Sequence, residues 1–316
     1  MRATVPTSPL RILSHLPPAR LMRVEREMPG VTVLPIPAEG EIPPDATGEV
    51  LVTYTWGAPN IAQAVERGVR WIHVIGTGVD RFPFAAVGDR LLSCARGASA
   101  VPIAEWVMAM LLAFEKDLPR SWIDGPARWR RMDLGGLQGR TLGLLGLGGI
   151  GKAVATRALP FGMAVRALRR SKAPSPVPGV ELVEDLDQVL STADHLVLAL
   201  PSTPETRHVI DRATLARVKH GVHLVNVARG TLVDQDALRE ALDDGRVACA
   251  SLDTSDPEPL PEGHWLYTHP RVRLSPHISW SMPGALDVFV DLLLDNLRHY
   301  QAGEPLMGLV DVRTGY

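Results

Sequence analysis

The chain has 316 residues, is 46% hydrophobic and 22% charged, and carries a formal net charge of −2. That length suits two domains, and so balanced a charge argues against a nucleic-acid-binding protein. The longest apolar run, Val101 to Phe114, is broken by Glu105 and is shorter than the roughly 20 residues that a membrane-spanning helix needs, so no membrane association is expected.

Residues 1–18 hold no apolar core long enough for a signal peptide, and a cytoplasmic location is the expectation. Short strands are predicted near Arg11–Leu13, Val31–Leu34, Val50–Thr53, Trp71–Val74 and Leu91–Ser93, with helical stretches over Pro18–Met28 and Ile61–Arg67. The alternation predicts a parallel sheet with crossover helices. Cys94 and Cys249 lie far apart in apolar surroundings and read as small core residues. They predict neither a disulfide framework nor a metal site, and they fit a reducing compartment. A long helix is predicted from Pro102, at an N-terminal position, to about Lys116.

From Thr141 the alternation is clearer. Strands are predicted at Thr141–Leu145, Val165–Leu168, His195–Leu200, Val222–Val227, Ala248–Leu252 and Val272–Leu274. Helices fill the gaps at Ile150–Leu159, Leu186–Leu190, Ala213–Val218 with Asp211 as cap, and Gln235–Asp243 capped by Asp234. The proline-rich Ala173–Pro178 reads as a solvated turn. Six strands with a glycine turn after the first suit a dinucleotide-binding sheet. The last helix, Gly284 to about Tyr300, returns the chain to the first domain. The expected division is 1–98 with 282–316, a substrate-binding domain, and 99–281, a dinucleotide-binding domain.

The glycine turn is G-L-G-G-I-G, with Gly146, Gly148 and Gly151 between two apolar runs. In such a turn the first glycine permits the tight bend, the second lets the backbone approach a pyrophosphate, and the third lets helix and strand pack closely. The helix start then offers unpaired N–H groups to phosphate. An adenosine ribose with a free 2′-hydroxyl is usually held by an acid about 20 residues on. Here the second strand ends in Leu168, Arg169, Arg170 and Ser171, with no carboxylate in reach. Two guanidinium groups and a hydroxyl suit a 2′-phosphate, so NADP(H) is the expected cofactor and NAD(H) the lesser one.

Further motifs lie where strands of the second half end. Asn226-Val227-Ala228-Arg229-Gly230 sets an arginine between a buried strand and a glycine, placed to clamp a carboxylate or carbonyl in two-point fashion. Leu252 to Leu260, LDTSDPEPL, carries Asp253, Asp256 and Glu258, and Asp256 reads equally well as a solvated loop acid. Ser275-Pro276-His277-Ile278 places a histidine after the last strand.

These motifs resemble the D-isomer-specific 2-hydroxyacid dehydrogenase family, in glyoxylate/hydroxypyruvate reductase-like form. The resemblance rests on GLGGIG, LPSTPETRHVID (Leu200 to Asp211), NVARGTLVD (Asn226 to Asp234), LDTSDPEPL and SPHIS (Ser275 to Ser279), in the family's order and spacing. The first half matches more weakly, through VIGTGVD (Val74 to Asp80) and IAEWVMAMLLA (Ile103 to Ala113). The implied fold is α/β: two doubly wound parallel-sheet domains, a Rossmann nucleotide-binding domain inserted in a flavodoxin-like substrate domain. The implied function is hydride transfer between NADP(H) and a small 2-oxo acid or D-2-hydroxy acid. Arg229 would grip substrate, His277 would be the acid–base, and Glu258 would hold its ring. Gly146, Gly148, Gly149, Ile150, Gly151, Leu200, Pro201, Thr206, Val227 and Ala228 would join Arg169, Arg170 and Ser171 around the cofactor. Asp253 would hydrogen-bond its carboxamide, and backbone N–H groups at Thr77, Gly78 and Val79 would receive the substrate carboxylate. The resemblance also implies a homodimer built on the helix beginning near Pro102 and the segment after it, where Trp106, Met108, Met110, Leu111, Leu112, Phe114, Trp122 and Trp129 supply apolar surface.

Arg169 stands where NAD-preferring relatives carry an acid, and Trp280 stands where smaller residues are frequent. Trp280, Tyr54 and Trp56 are open between core packing and a place near the substrate. Phosphite-oxidising relatives keep the same arginine, glutamate and histidine, so a phosphite-type dehydrogenase is an alternative. A dinucleotide-sensing corepressor or scaffold is another.

Overall fold

The computed structural model describes residues 9–316; residues 1–8, the start of the first expected domain, lie outside the described residues. The chain divides into two compact units, one running to Ser99 and resuming over Pro283–Tyr316, the other Ala100–Met282.

The first unit opens with β1 (Leu10–Ser14), α1 (Met22–Glu27), β2 (Val31–Pro35), β3 (Val50–Thr53), α2 (Ile61–Val65), β4 (Trp71–Val74) and β5 (Leu91–Cys94). All strand pairs are parallel, in the order β2-β1-β3-β4-β5, the flavodoxin-like arrangement. β3 and β4 are buried along their whole length, as expected of parallel strands covered on both faces. The helix expected over Pro18–Met28 is broken. Pro18–Arg20 forms a 3₁₀ turn that closes on Leu21, and α1 starts only at Met22.

The second unit contains α3 (Ala100–Glu115), β6 (Thr141–Leu145), α4 (Gly149–Ala158), β7 (Ala164–Leu168), β8 (Val180–Val183), α5 (Leu186–Leu190), β9 (His195–Leu198), α6 (Arg212–Leu215), β10 (Val222–Asn226), α7 (Gln235–Asp243), β11 (Val247–Leu252) and β12 (Val272–Leu274). The chain then rejoins the first unit as α8 (Ala285–Ala302), whose Leu293, Leu294 and Leu297 pack with Ile12, Trp71 and Val50. The second sheet has seven parallel strands in the order β12-β11-β10-β9-β6-β7-β8, not the six expected. The missed strand is β8. It is four residues long, sits at the sheet edge and pairs only with β7, so its apolar pattern is too short to announce a strand. Asp211 caps α6 through a capping box with Thr214, and Asp234 caps α7 by accepting from the N–H groups of Asp236 and Ala237.

Strands β9 and β10 end at Leu198 and Asn226, one or two residues before the predicted ends. The shortening leaves Leu200, Pro201, Val227 and Ala228 in the loops beyond the carboxyl ends of the strands, where open α/β sheets bind ligands.

A polar chain crosses the interior of this unit. Glu115 Oε1 meets His195 Nε2 (3.1 Å), His195 Nδ1 meets His223 Nδ1 (3.2 Å), and His223 Nε2 meets Ser251 Oγ (2.9 Å). Burial lowers His195 to about 4 and holds His223 well below its ordinary value, while burial raises Glu115. Two neutral imidazoles can therefore pass one hydrogen bond each along the chain and leave no polar atom unmet. Cys94 and Cys249 are buried free thiols, and burial raises both. Among the described residues no His, Cys, Asp and Glu group is arranged to hold a metal, and no helix is long and apolar enough to cross a membrane.

Candidate active site

Arg229 is presented by a side-chain template. Asn226, 1% exposed at the end of β10, donates from Nδ2 to the Arg229 carbonyl (2.8 Å) and accepts from the Ala228 N–H (3.0 Å). The next residue must be small. A Cβ on Gly230 would lie 2.0 Å from the Ser255 carbonyl carbon, so only glycine lets the turn after β10 press against the loop after β11. Arg229 is half-buried and donates to the Ala228 carbonyl (2.8 Å).

The loop after β11 brings Glu258 to the same place. Its Oε1 accepts from the Ser255 N–H (3.0 Å), and its Oε2 meets His277 Nδ1 at 3.1 Å. Burial opposes ionisation of Glu258, but the His277 hydrogen bond, the Ser255 N–H and the charges of His277 and Arg229 outweigh it and hold the carboxyl below its ordinary value. The structure thus joins Glu258 to His277 by a hydrogen bond and to Arg229 through its field. Asp256 is elsewhere: its carboxylate faces Arg207 at 3.9 Å with both side chains well exposed.

His277 follows β12 with φ +55° and a side chain 39% exposed. With Nδ1 committed to Glu258, Nε2 is the nitrogen left for a substrate. Trp280 donates its indole N–H to the His277 carbonyl (3.0 Å), a bond the sequence does not announce. Asp253, 1% exposed, lies beneath this loop, with both carboxylate oxygens accepting from it.

The glycine turn joins β6 to α4. Gly146 has φ +102°, and a Cβ there would lie 2.4 Å from the Ala199 carbonyl oxygen; a Cβ on Gly151 would meet the Gly146 oxygen at 2.1 Å. Gly148 has open space around it and caps α4 without a side chain, so the first-turn N–H groups of Gly149, Ile150 and Gly151 have no intrahelical acceptor. This cradle fits a pyrophosphate. At the end of β7, Arg169 donates to the carbonyls of Ala173 and Pro174, and its buried Nε has no hydrogen-bond partner. Arg170 and Ser171 are exposed. Thr206 Oγ1 donates to the Pro201 carbonyl (2.7 Å) and shapes the loop that carries Leu200. The side chains of Val227 and Ala228 are core, so only their backbone is left to meet a ligand.

In the first unit, Thr77 and Gly78 are partly buried after β4, and Thr77 Oγ1 donates to the Ala95 carbonyl (3.3 Å). Val79 is core. Tyr54 and Trp56 stack on each other with ring centroids 5.1 Å apart, and the Tyr54 hydroxyl donates to the His15 carbonyl.

The family model for the NAD binding domain of D-isomer specific 2-hydroxyacid dehydrogenases matches residues 108–279. A glyoxylate/hydroxypyruvate reductase A from Serratia proteamaculans is 31% identical over 274 residues, covering 83% of this chain and 86% of that protein. A D-isomer specific 2-hydroxyacid dehydrogenase from Xanthobacter autotrophicus Py2, solved with NADPH and MES, superposes with a TM-score of 0.84 at 26% identity, covering 98% of this chain and all of that one. An NADPH-dependent glyoxylate/hydroxypyruvate reductase from Sinorhizobium meliloti, solved with NADP and sulfate, gives 0.82 at 26% identity with the same coverage.

Proposed function

The chain belongs to the D-isomer specific 2-hydroxyacid dehydrogenase family, and from that premise we propose that it reduces a small 2-oxo acid of the glyoxylate or hydroxypyruvate type with NADPH. The observation that carries the reading is the 3.1 Å bond between His277 and Glu258 inside the field of Arg229. The names of the relatives support the substrate class, and the two neighbours solved with NADPH or NADP support the cofactor.

When bound, the nicotinamide supplies a hydride to the carbonyl carbon, and the protein supplies position and charge. Arg229 would grip the carbonyl or carboxylate of the substrate, drawing electron density toward oxygen. His277 would deliver the proton from Nε2 to that oxygen as the hydride arrives, completing the two-electron reduction. Glu258 accepts the Nδ1 hydrogen, which fixes the ring's tautomer and orientation. Main-chain N–H groups at Gly149, Ile150 and Gly151 would hold the pyrophosphate, with Arg169, Arg170 and Ser171 at the 2′-phosphate. Leu200, Pro201, Thr206, Val227 and Ala228 would border the cofactor, and the backbone at Thr77, Gly78 and Val79 would take the substrate carboxylate.

The test is turnover of glyoxylate with NADPH. Oxidation of phosphite with NADP⁺ in its place would transfer the same residues to the phosphite-type reaction. Tight NADPH binding with neither turnover would favour a sensing role.

Replacing Glu258 by glutamine should move the pH profile of reduction to lower pH. Glu258 is held below its ordinary value, so it stays ionised through neutrality and keeps a negative charge beside the His277 ring. A neutral amide withdraws that charge. An unchanged profile in steady-state assays would remove Glu258 from this role.

We also propose a homodimer in which a second copy covers the segment after α3. Met108 and Leu111 are spent inside the unit, whereas Trp122, Ile123, Trp129 and Leu134 are 66%, 44%, 82% and 45% exposed. Light scattering at micromolar concentration should return twice the 34.3 kDa chain mass. A monomeric mass would refute the dimer.

A further inference from the structure

We propose that Asp253 is the positioning residue that holds His277 in a left-handed backbone conformation and so aims its ring. The proposal rests on the reading of His277 as the proton donor.

A histidine at φ +55° lies outside the conformations that an L-residue prefers, and such a residue persists only where its surroundings over-determine it. Here Asp253 supplies most of those surroundings, through its side chain and its own carbonyl; the Ser275 carbonyl shares the His277 N–H at 3.0 Å, and the Trp280 indole donates to the His277 carbonyl. The Asp253 carbonyl accepts the His277 N–H at 2.8 Å. Its Oδ1 accepts from Ser275 Oγ (2.6 Å) and the Ile278 N–H (2.9 Å), and its Oδ2 accepts from the Ser279 N–H (2.9 Å). All these donors come from five consecutive residues, Ser275 to Ser279. Successive N–H groups after a left-handed residue form a concavity that receives an anion, and the Asp253 carboxylate fills it.

Asp253 is itself fixed. It is 1% exposed and continues the β10–β11 ladder, with its N–H donating to the Asn226 carbonyl at 3.0 Å. Asn226 also templates the turn that presents Arg229. One buried pair at the ends of two neighbouring strands therefore sets the backbone of both residues assigned to the substrate. The His277 ring is held from two directions, its backbone by Asp253 and its Nδ1 by Glu258.

This role differs from that of a cofactor contact, and the two are separable. In Asp253→Asn the amide keeps one acceptor but turns a donor toward a donor of the loop. A shift of about 1 Å in a reacting group costs on the order of 10²-fold, so kcat for glyoxylate reduction should fall by about that factor. The dissociation constant for NADPH, read by fluorescence titration without substrate, should stay within about threefold. Ser275→Ala removes only the shortest bond and should lower kcat by a smaller factor, with Ser275→Thr restoring it; this pair keeps the test open if Asp253→Asn fails to fold. A rise in the NADPH dissociation constant of tenfold or more, with kcat retained at saturating cofactor, would overturn the proposal in favour of a cofactor contact. The deciding arm is a double-mutant cycle. If Asp253 acts through His277, adding Asp253→Asn to His277→Ala should cost no further activity. Additive losses would refute the positioning role. Full activity of His277→Ala alone would instead refute the reading of His277.

Discussion

His277→Ala should lower kcat/KM for reduction of a small 2-oxo acid by at least 10²- to 10⁴-fold, the range that general acid catalysis contributes, with little change in Tm or in NADPH binding. The separation follows from what the side chain does in the fold. It is 39% exposed and belongs to none of the apolar clusters, so its removal opens no cavity. The bonds that shape its loop use the main chain of His277, Ile278 and Ser279 and the Ser275 hydroxyl, and these survive the substitution. What disappears is the imidazole and its bond to Glu258. Arg229→Ala should be less damaging and should weigh on KM, because a lost charge-assisted clamp costs about 1.5–3 kcal/mol, roughly ten- to a hundredfold. Normal kcat/KM in the His277 variant would end the assignment of that residue.

The second sheet was legible because each of its functional turns combines an apolar strand with a residue that has no packing reason to follow it. Arg229 after β10 and His277 after β12 are such residues, and Gly146 and Gly151 sit where a side chain would strike backbone. β8 was not legible, since four residues at an edge carry too little pattern against the proline-rich turn before them. Nor was the scaffolding behind the candidate site. Asn226 and Asp253 act through hydrogen bonds to backbone donors and acceptors that lie next to them only once the strands are aligned. The one local clue was a polar residue closing an apolar strand. The chain from Glu115 through His195 and His223 to Ser251 escaped for the same reason, since its members are spread over α3, β9, β10 and β11. In the first unit the strands were readable, but the broken helix after Pro18 depended on where a 3₁₀ turn closed.

The cofactor choice gives the other large expected effect. Wild-type protein should show a KM for NADPH roughly ten- to a hundredfold below that for NADH, the factor that one charge-assisted contact of about 1.5–3 kcal/mol provides. In the proposed reading the contact comes from the end of β7, in two forms. Arg170 is exposed, as a residue meeting a phosphate from solvent should be, while Arg169 donates to the carbonyls of Ala173 and Pro174 and keeps a buried Nε without a hydrogen-bond partner. Arg169 therefore braces the loop and can still turn charge toward a ligand. Arg169→Asp should lose NADPH use by at least the single-contact factor, both through repulsion of the phosphate and through loss of the brace. It should gain NADH use only if the new carboxylate reaches the ribose 2′-hydroxyl. Arg170→Ala leaves the brace in place, so its effect should fall on NADPH alone and leave NADH kinetics unchanged. Added salt should weaken NADPH binding more than NADH binding, because only the former carries the extra phosphate charge. A wild-type preference for NADH would make both arginines surface residues and overturn the cofactor choice, while leaving the roles of Arg229, Glu258 and His277 untouched.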